Sequence, residues 1–158
     1  MIFNKNLKNV LLVIFATLVL SACSTAKKSG STSGDVYTGK ETVKYLAKGV
    51  ADRVFFATNK STLTTASRAT LRKQADYLRK NKNLKVVIEG HADERGTREY
   101  NLALGEKRAN AAKDYLMTYG ISGKRLSVIS YGKEKPVNSA STTLAWSQNR
   151  RAVTVKVK

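Results

Sequence analysis

Between Glu89 and Ala111 the chain reads EGHADERGTREYNLALGEKRANA, crowding His91, Asp93, Glu94, Arg95, Arg98, Glu99, Glu106, Lys107 and Arg108 behind Glu89. Residues of these types serve three chemistries: metal binding, paired-carboxylate catalysis and the clamping of a charged ligand. A zinc site needs about four ligands in a tetrahedral set. His91 is the only histidine, Cys23 is the only cysteine, and Asp93 and Glu94 are too closely spaced to complete such a set, so no metal and no cofactor is expected. Paired-carboxylate hydrolysis of a glycoside needs two carboxyls roughly 5–10 Å apart with separated pKa values. Asp93 and Glu94 are neighbours whose side chains diverge in an extended loop, while Glu89 and Glu99 read as a strand-end and a first-turn acid. His91 has no evident nucleophile beside it, and a lone histidine in a tight loop reads as a hydrogen-bonding residue that orders the loop.

The elements around this stretch follow from periodicity. Arg53-Val54-Phe55-Phe56 has the composition of a buried strand, after a possible short helical turn at 40–46. Thr64 is a suitable N-cap for a helix to about Lys80 with Leu71, Ala75 and Leu78 on one face. LKVVIE, 84–89, reads as a second strand, and 90–96 as a loop bounded by glycines. A second helix starts near Thr97 or Arg98 and runs to Tyr119, closed by Gly120. RLSVISY, 125–131, gives a third strand, 141–148 one or two helical turns, and AVTVKVK, 152–158, a half-exposed fourth strand whose lysines suit a sheet edge. Trp146 is read as packing for the short helix rather than as a sugar-stacking platform. The order predicts an α/β (α+β) sandwich with its helices on one face.

Placed on the second helix at about 100° per residue, Leu102, Gly105, Ala109, Ala112 and Leu116 share one side. Glu106, Lys107, Asn110, Lys113 and Asp114 share the other. Asn101 and Arg108 are the exceptions, because they fall near the middle of the apolar arc. Arginine is rarely buried without a partner, so something anionic must face Arg108. Two readings remain open from the residues alone: a structural ion pair with Asp93 or Glu94, or a cleft in which Asp93 takes a ligand ammonium while Arg108 takes a carboxylate in a bidentate pair.

The N-terminal residues bear on the compartment. Lys5 and Lys8 precede an apolar run from Val10 to Ala16 that continues through Leu18, Val19 and Leu20, too short for a permanent membrane span. Leu20-Ser21-Ala22-Cys23 resembles the cleavage site of a lipoprotein signal peptide covering 1–22, which implies that Cys23 is lipidated. Ser24, in place of an aspartate, points to the outer membrane among lipoproteins of this kind. Residues 23–40 read as a lipidated N-terminus and flexible tether, with STAKKSGSTSGD as its polar part, and 41–158 as one domain. The formal net charge is +18, and +16 without Lys5 and Lys8 (18 minus 2). Such a field attracts polyanions. The basic residues are scattered without interleaved exposed aromatics, so nucleic acid is not the expected partner; anionic wall polymers and lipid headgroups are natural neighbours.

GHADERG, YNLALGEKRA, ISYGKEKP and NRRAVTV, in this order from Arg53 to Val155, are together similar to the OmpA-like domain family, most closely its peptidoglycan-associated lipoprotein branch. The resemblance implies a βαβαβ-(α)-β domain with a four-stranded mixed sheet. It also implies non-catalytic binding of the diaminopimelate in the peptidoglycan stem peptide, anchoring the outer membrane to the wall from its periplasmic face. The same resemblance assigns the grip to Asp93 and Arg108, with Asn101 and Leu104 lining the pocket and Arg95, Thr97 and Phe56 around its rim. Membership of the Tol–Pal system follows from it too, with a role in envelope integrity and cell division and TolB as partner. A peptidoglycan-acting hydrolase is the alternative. The family usually carries an aspartate where this chain has Ala57, in Phe55-Phe56-Ala57-Thr58-Asn59, so any ligand contact made by that carboxylate is lost from the first-strand wall.

Overall fold

The computed structural model of the chain describes residues 35–157. The segment expected to be a signal peptide, Cys23, and the expected tether up to residue 34 lie outside the described residues. A hairpin of β1 (Tyr45–Ala47) and β2 (Val50–Ala51) precedes β3 (Arg53–Phe55). Then follow α1 (Thr65–Lys80), β4 (Val86–His91), α2 (Arg98–Thr118), a 3-10 turn at Gly123–Arg125, β5 (Leu126–Gly132), α3 (Thr143–Asn149) and β6 (Arg151–Lys156). The main sheet runs β3-β6-β4-β5, with β4 and β5 parallel and both β6 pairings antiparallel. The expected α+β architecture with a four-stranded mixed sheet is what the chain adopts.

Capping fixes both long helices. The Thr64 hydroxyl accepts from the Ser67 N–H at 3.1 Å and the Thr97 hydroxyl from the Tyr100 N–H at 3.2 Å, each satisfying an orphan first-turn donor. Leu71, Ala75 and Leu78 of α1 and Ala109, Ala112 and Leu116 of α2 pack on Val54, Val86, Ile88, Leu126 and Ala152, so both helices cover one face of the sheet. The close approach of α2 depends on two glycines. A Cβ built on Gly90 would stand 1.8 Å from the carbonyl oxygen of Gly105, and one on Gly105 2.4 Å from the Ser130 hydroxyl. Only residues without side chains let helix and strand backbones meet this closely.

Three expectations are corrected. The alternation of AVTVKVK suggested an edge, yet β6 lies between β3 and β4, and Arg151, Ala152, Val153 and Thr154 are all buried. Alternation reports a half-exposed face, and here the first four positions are covered on both faces. The stretch expected to form a helical turn at 40–46 instead enters β1 at Tyr45. On α2, Leu102 is 49% exposed while Leu104 is buried, so the apolar stripe is displaced toward Leu104 and Arg108. The packed chain also begins earlier than Glu41: Tyr37 is buried edge-on against Phe55, with ring centroids 4.8 Å apart.

Candidate functional site

The site lies where β4 ends and α2 begins. Residues 92–97 connect them, and Thr97 caps the helix. Asn101, one turn into α2 and buried, donates through Nδ2 to the Arg95 carbonyl at 2.8 Å and ties the loop to the helix. Inside that loop the Asp93 carboxylate accepts from the Arg95 backbone N–H at 3.1 Å, from Arg95 Nε at 3.1 Å and from Arg95 Nη2 at 2.8 Å. Burial alone would raise the Asp93 carboxyl. The Arg95 side-chain and backbone hydrogen bonds, with one from Arg150, outweigh it and hold the group below the usual carboxylate range.

Arg108 is fully buried, and it has no carboxylate in hydrogen-bonding contact among the described residues. Its Nε donates to the Lys60 carbonyl at 2.9 Å, Nη1 to the His91 carbonyl at 2.9 Å and Nη2 to the Ala57 carbonyl at 3.1 Å. The structural ion pair with Asp93 or Glu94, one of the two readings open from the residues, is therefore not formed, and three carbonyl dipoles from two segments take its place. The first segment is the turn 57–60, closed by a Lys60 N–H to Ala57 carbonyl bond and carrying Asn59 at φ 55°. Arg108 also lies over the Phe56 ring at 5.4 Å. Burial, and then the neighbouring Arg150 charge, pull its pKa down to about 10, partly opposed by Asp93. The guanidinium stays charged at neutral pH, with donors beyond those three bonds.

Arg150 was not singled out from the sequence. It is 2% exposed and joins three parts of the site: Nε donates to the Phe56 carbonyl at 3.1 Å, Nη1 to Asp93 at 3.3 Å, and Nη2 to the Asp35 carbonyl. NRRAVTV contained the signal, two adjacent arginines at a strand start: Arg150, just ahead of β6, and Arg151, its first residue, are both buried. Asp35, expected in the tether, is the other omission. Its carboxylate accepts from the Thr58 N–H at 2.6 Å and stands 3.6 Å from Arg150 Nη2.

The remaining expected residues fall as follows. Leu104 is buried on the Arg108 face of α2. Phe56 is fully buried, so it belongs to the floor rather than the rim, and its carbonyl serves Arg150. Trp146 donates through Nε1 to Glu94 at 2.8 Å and carries the Arg95 guanidinium 4.3 Å above its ring, which fastens the loop from outside. His91 does not order the loop. It is the last residue of β4, and neither ring nitrogen has a hydrogen-bond partner among the described residues. It stacks on Tyr131 at 5.5 Å and lies 3.6 Å from Glu89. Burial and the Arg151, Arg53 and Lys135 charges push its pKa down to about 3, so the ring is neutral. Among the described residues no cluster of histidine, cysteine, aspartate and glutamate could hold a metal ion.

Residues 55–150 match the model of the OmpA family. The chain is 45% identical to the peptidoglycan-associated lipoprotein of Rhizobium meliloti, covering 92% of this chain and 86% of that protein. The chain belongs to the peptidoglycan-associated lipoproteins of the OmpA family. The namesake of Haemophilus influenzae is 39% identical over 95% of this chain and 97% of its own. In structure, the peptidoglycan-associated lipoprotein of Burkholderia pseudomallei superposes with TM-score 0.66 at 39% identity, covering 67% of this chain and 90% of the other. The C-terminal domain of Helicobacter pylori MotB, at 19% identity and TM-score 0.63 over 68% of this chain and 84% of the other, shares the fold. All of the site except Asp35 lies within the span that matches the OmpA family.

Proposed function

We propose that this lipoprotein binds peptidoglycan non-covalently through the diaminopimelate of the stem peptide and so ties the outer membrane to the wall. One observation carries the reading: the Asp93 carboxylate is fixed between the guanidiniums of Arg95 and Arg150, with Arg108 close by, at the mouth of the β4–α2 loop. The free end of diaminopimelate bears an ammonium and a carboxylate. Asp93 takes the first and Arg108 the second, while Asn101, Leu104, Arg95 and Thr97 shape the surrounding wall above Phe56. Held below the usual carboxylate range, Asp93 is unsuited to act as a general acid, and neutral buried His91 lies on the opposite face of the sheet from the helices; both support binding over hydrolysis.

The wider role, attachment through lipidated Cys23, a periplasm-facing domain, and work with TolB in the Tol–Pal system during envelope constriction, is proposed from family membership. No helix among the described residues is long and apolar enough to cross a membrane, which is compatible with a lipid anchor.

Calorimetric titration of the full chain, purified in mild detergent, with a diaminopimelate-containing muropeptide tests the clamp. Each charge-assisted contact is worth about 1.5–3 kcal/mol, so Asp93→Asn binds at least about tenfold more weakly. Parent-like binding by that variant, with the fold intact by circular dichroism, removes the clamp. For the partner, failure of the chain to co-purify with TolB at micromolar concentrations removes that part.

A further inference from the structure

Asp35 and the residues after it form a short strap over the site. Tyr37 anchors the strap independently of Asp35: its ring is buried against Phe55, its hydroxyl donates to Glu41 Oε2 at 2.9 Å, and Gln148 Nε2 reaches the same oxygen at 3.4 Å. Two residues upstream, the Asp35 carboxylate accepts from the Thr58 N–H at 2.6 Å and faces Arg150 at 3.6 Å. Its charge is also felt by Arg95 and Arg108. The turn carrying Thr58 is the one whose Ala57 and Lys60 carbonyls hold Arg108. A carboxylate from the chain itself thus stands in the field of Arg108, the proposed receiver of a ligand carboxylate, and of Arg95 and Arg150 beside it.

The geometry points to Asp35 as an intramolecular competitor, a latch that occupies the carboxylate side of the ligand site and leaves when the wall peptide enters. The inference rests on the reading of the site given above. Asp93 and Asp35 already share Arg150, and a ligand carboxylate would be a third acid repelled by both, so ligand and latch are alternatives. Because Tyr37 remains docked, Asp35 moves without unfolding the domain. Its proximity gives it an effective concentration in the millimolar range or above, against which the ligand must bind. A closed latch lowers apparent affinity by the fraction of molecules that are open.

The test uses the full chain and a diaminopimelate-containing tripeptide muropeptide. Asp35→Asn keeps the size of the side chain and removes its charge, and Asp35→Ala serves as a second variant. Both are expected to bind about tenfold more tightly than the parent if roughly a tenth of parent molecules are open. The Thr58 amide resonance of the parent should move on saturation toward its position in ligand-free Asp35→Ala. If the parent binds and both variants bind equally or more weakly, the latch is wrong while the clamp stands. Absence of binding by parent and variants alike overturns the clamp and the latch with it.

Discussion

Nη1 of Arg150 stands 3.3 Å from the same Asp93 oxygen, Oδ2, that Nη2 of Arg95 reaches at 2.8 Å. One carboxylate therefore compensates an exposed guanidinium on its own loop and a buried one delivered from the far end of the chain. Removing a partner from a buried pair typically costs about 3–5 kcal/mol. Asp93→Asn is expected at the lower end, about 3 kcal/mol, because Asp35 still faces Arg150. Chemical denaturation measures it, and a loss under about 1 kcal/mol would show that Arg150 does not depend on Asp93.

Arg108→Lys separates charge from geometry. The guanidinium reaches carbonyls of Ala57, Lys60 and His91 in different directions, which one ammonium on a flexible stem cannot reproduce. Leaving a buried carbonyl unpaired costs roughly 1–3 kcal/mol, so a fall of about 2 kcal/mol or more in unfolding free energy is expected, with the denaturant slope unchanged. Retention of full stability would mean that lysine satisfies the turn as well as arginine does.

Glycine contacts predict a contrast between two positions. Gly90→Ala places a methyl 1.8 Å from a backbone oxygen that cannot swing away, whereas Gly120→Ala, at φ 81°, meets nothing within 4 Å. Overpacking costs typically 1–3 kcal/mol and sometimes more. Gly90→Ala is expected at about 3 kcal/mol or above, and Gly120→Ala at about 1 kcal/mol from backbone strain alone. Thermal unfolding of the two variants checks the order, and a reversed order would contradict the close approach of α2 to β4.

Acid should weaken the fold before its carboxylates titrate. His91 has a folded pKa of about 3 against an ordinary 6.5, so between those values the unfolded chain binds a proton that the folded chain refuses. Stability from this residue is complete above about pH 6.5 and declines as pH falls, by about 1.4 kcal/mol per pH unit down to pH 3. Asp93, shifted downward, adds its loss only below the usual aspartate range. His91→Phe should remove the slope between pH 6 and 4.5 in denaturant titrations. An unchanged slope would assign the acid sensitivity to other groups.

The sequence made the helices legible because both long ones carry a threonine cap and a regular apolar face. Arg108 was legible for a related reason, since a charge within the apolar arc demands a partner. The nature of that partner was not, because carbonyls presented by a turn at 57–60 carry no side-chain signature. The position of β6 was hidden for another reason: alternation describes the faces of a strand and says nothing of its neighbours in the sheet. Asp35 escaped notice because serine, glycine and lysine dominate the residues before it, and contacts made across 23 and 115 positions leave no local pattern. His91 misled in the opposite direction, its rarity in the composition suggesting a task that its buried, neutral ring does not perform.

The central placement of β6 governs when the protein can fold. Until residues 151–156 are synthesised, β3 and β4 have no common neighbour, and the pairing of β3 with β6 closes a loop of nearly the whole domain. Such long-range pairing slows folding. A ribosome-bound chain stopped short of residue 150 would leave β3 unpaired and one edge of β4 open, with only β5 beside it; α1 would be protease-sensitive, and Arg150 would be missing from the cluster around Asp93. Sheet and binding site are thus completed together, by the last strand to leave the ribosome among those described.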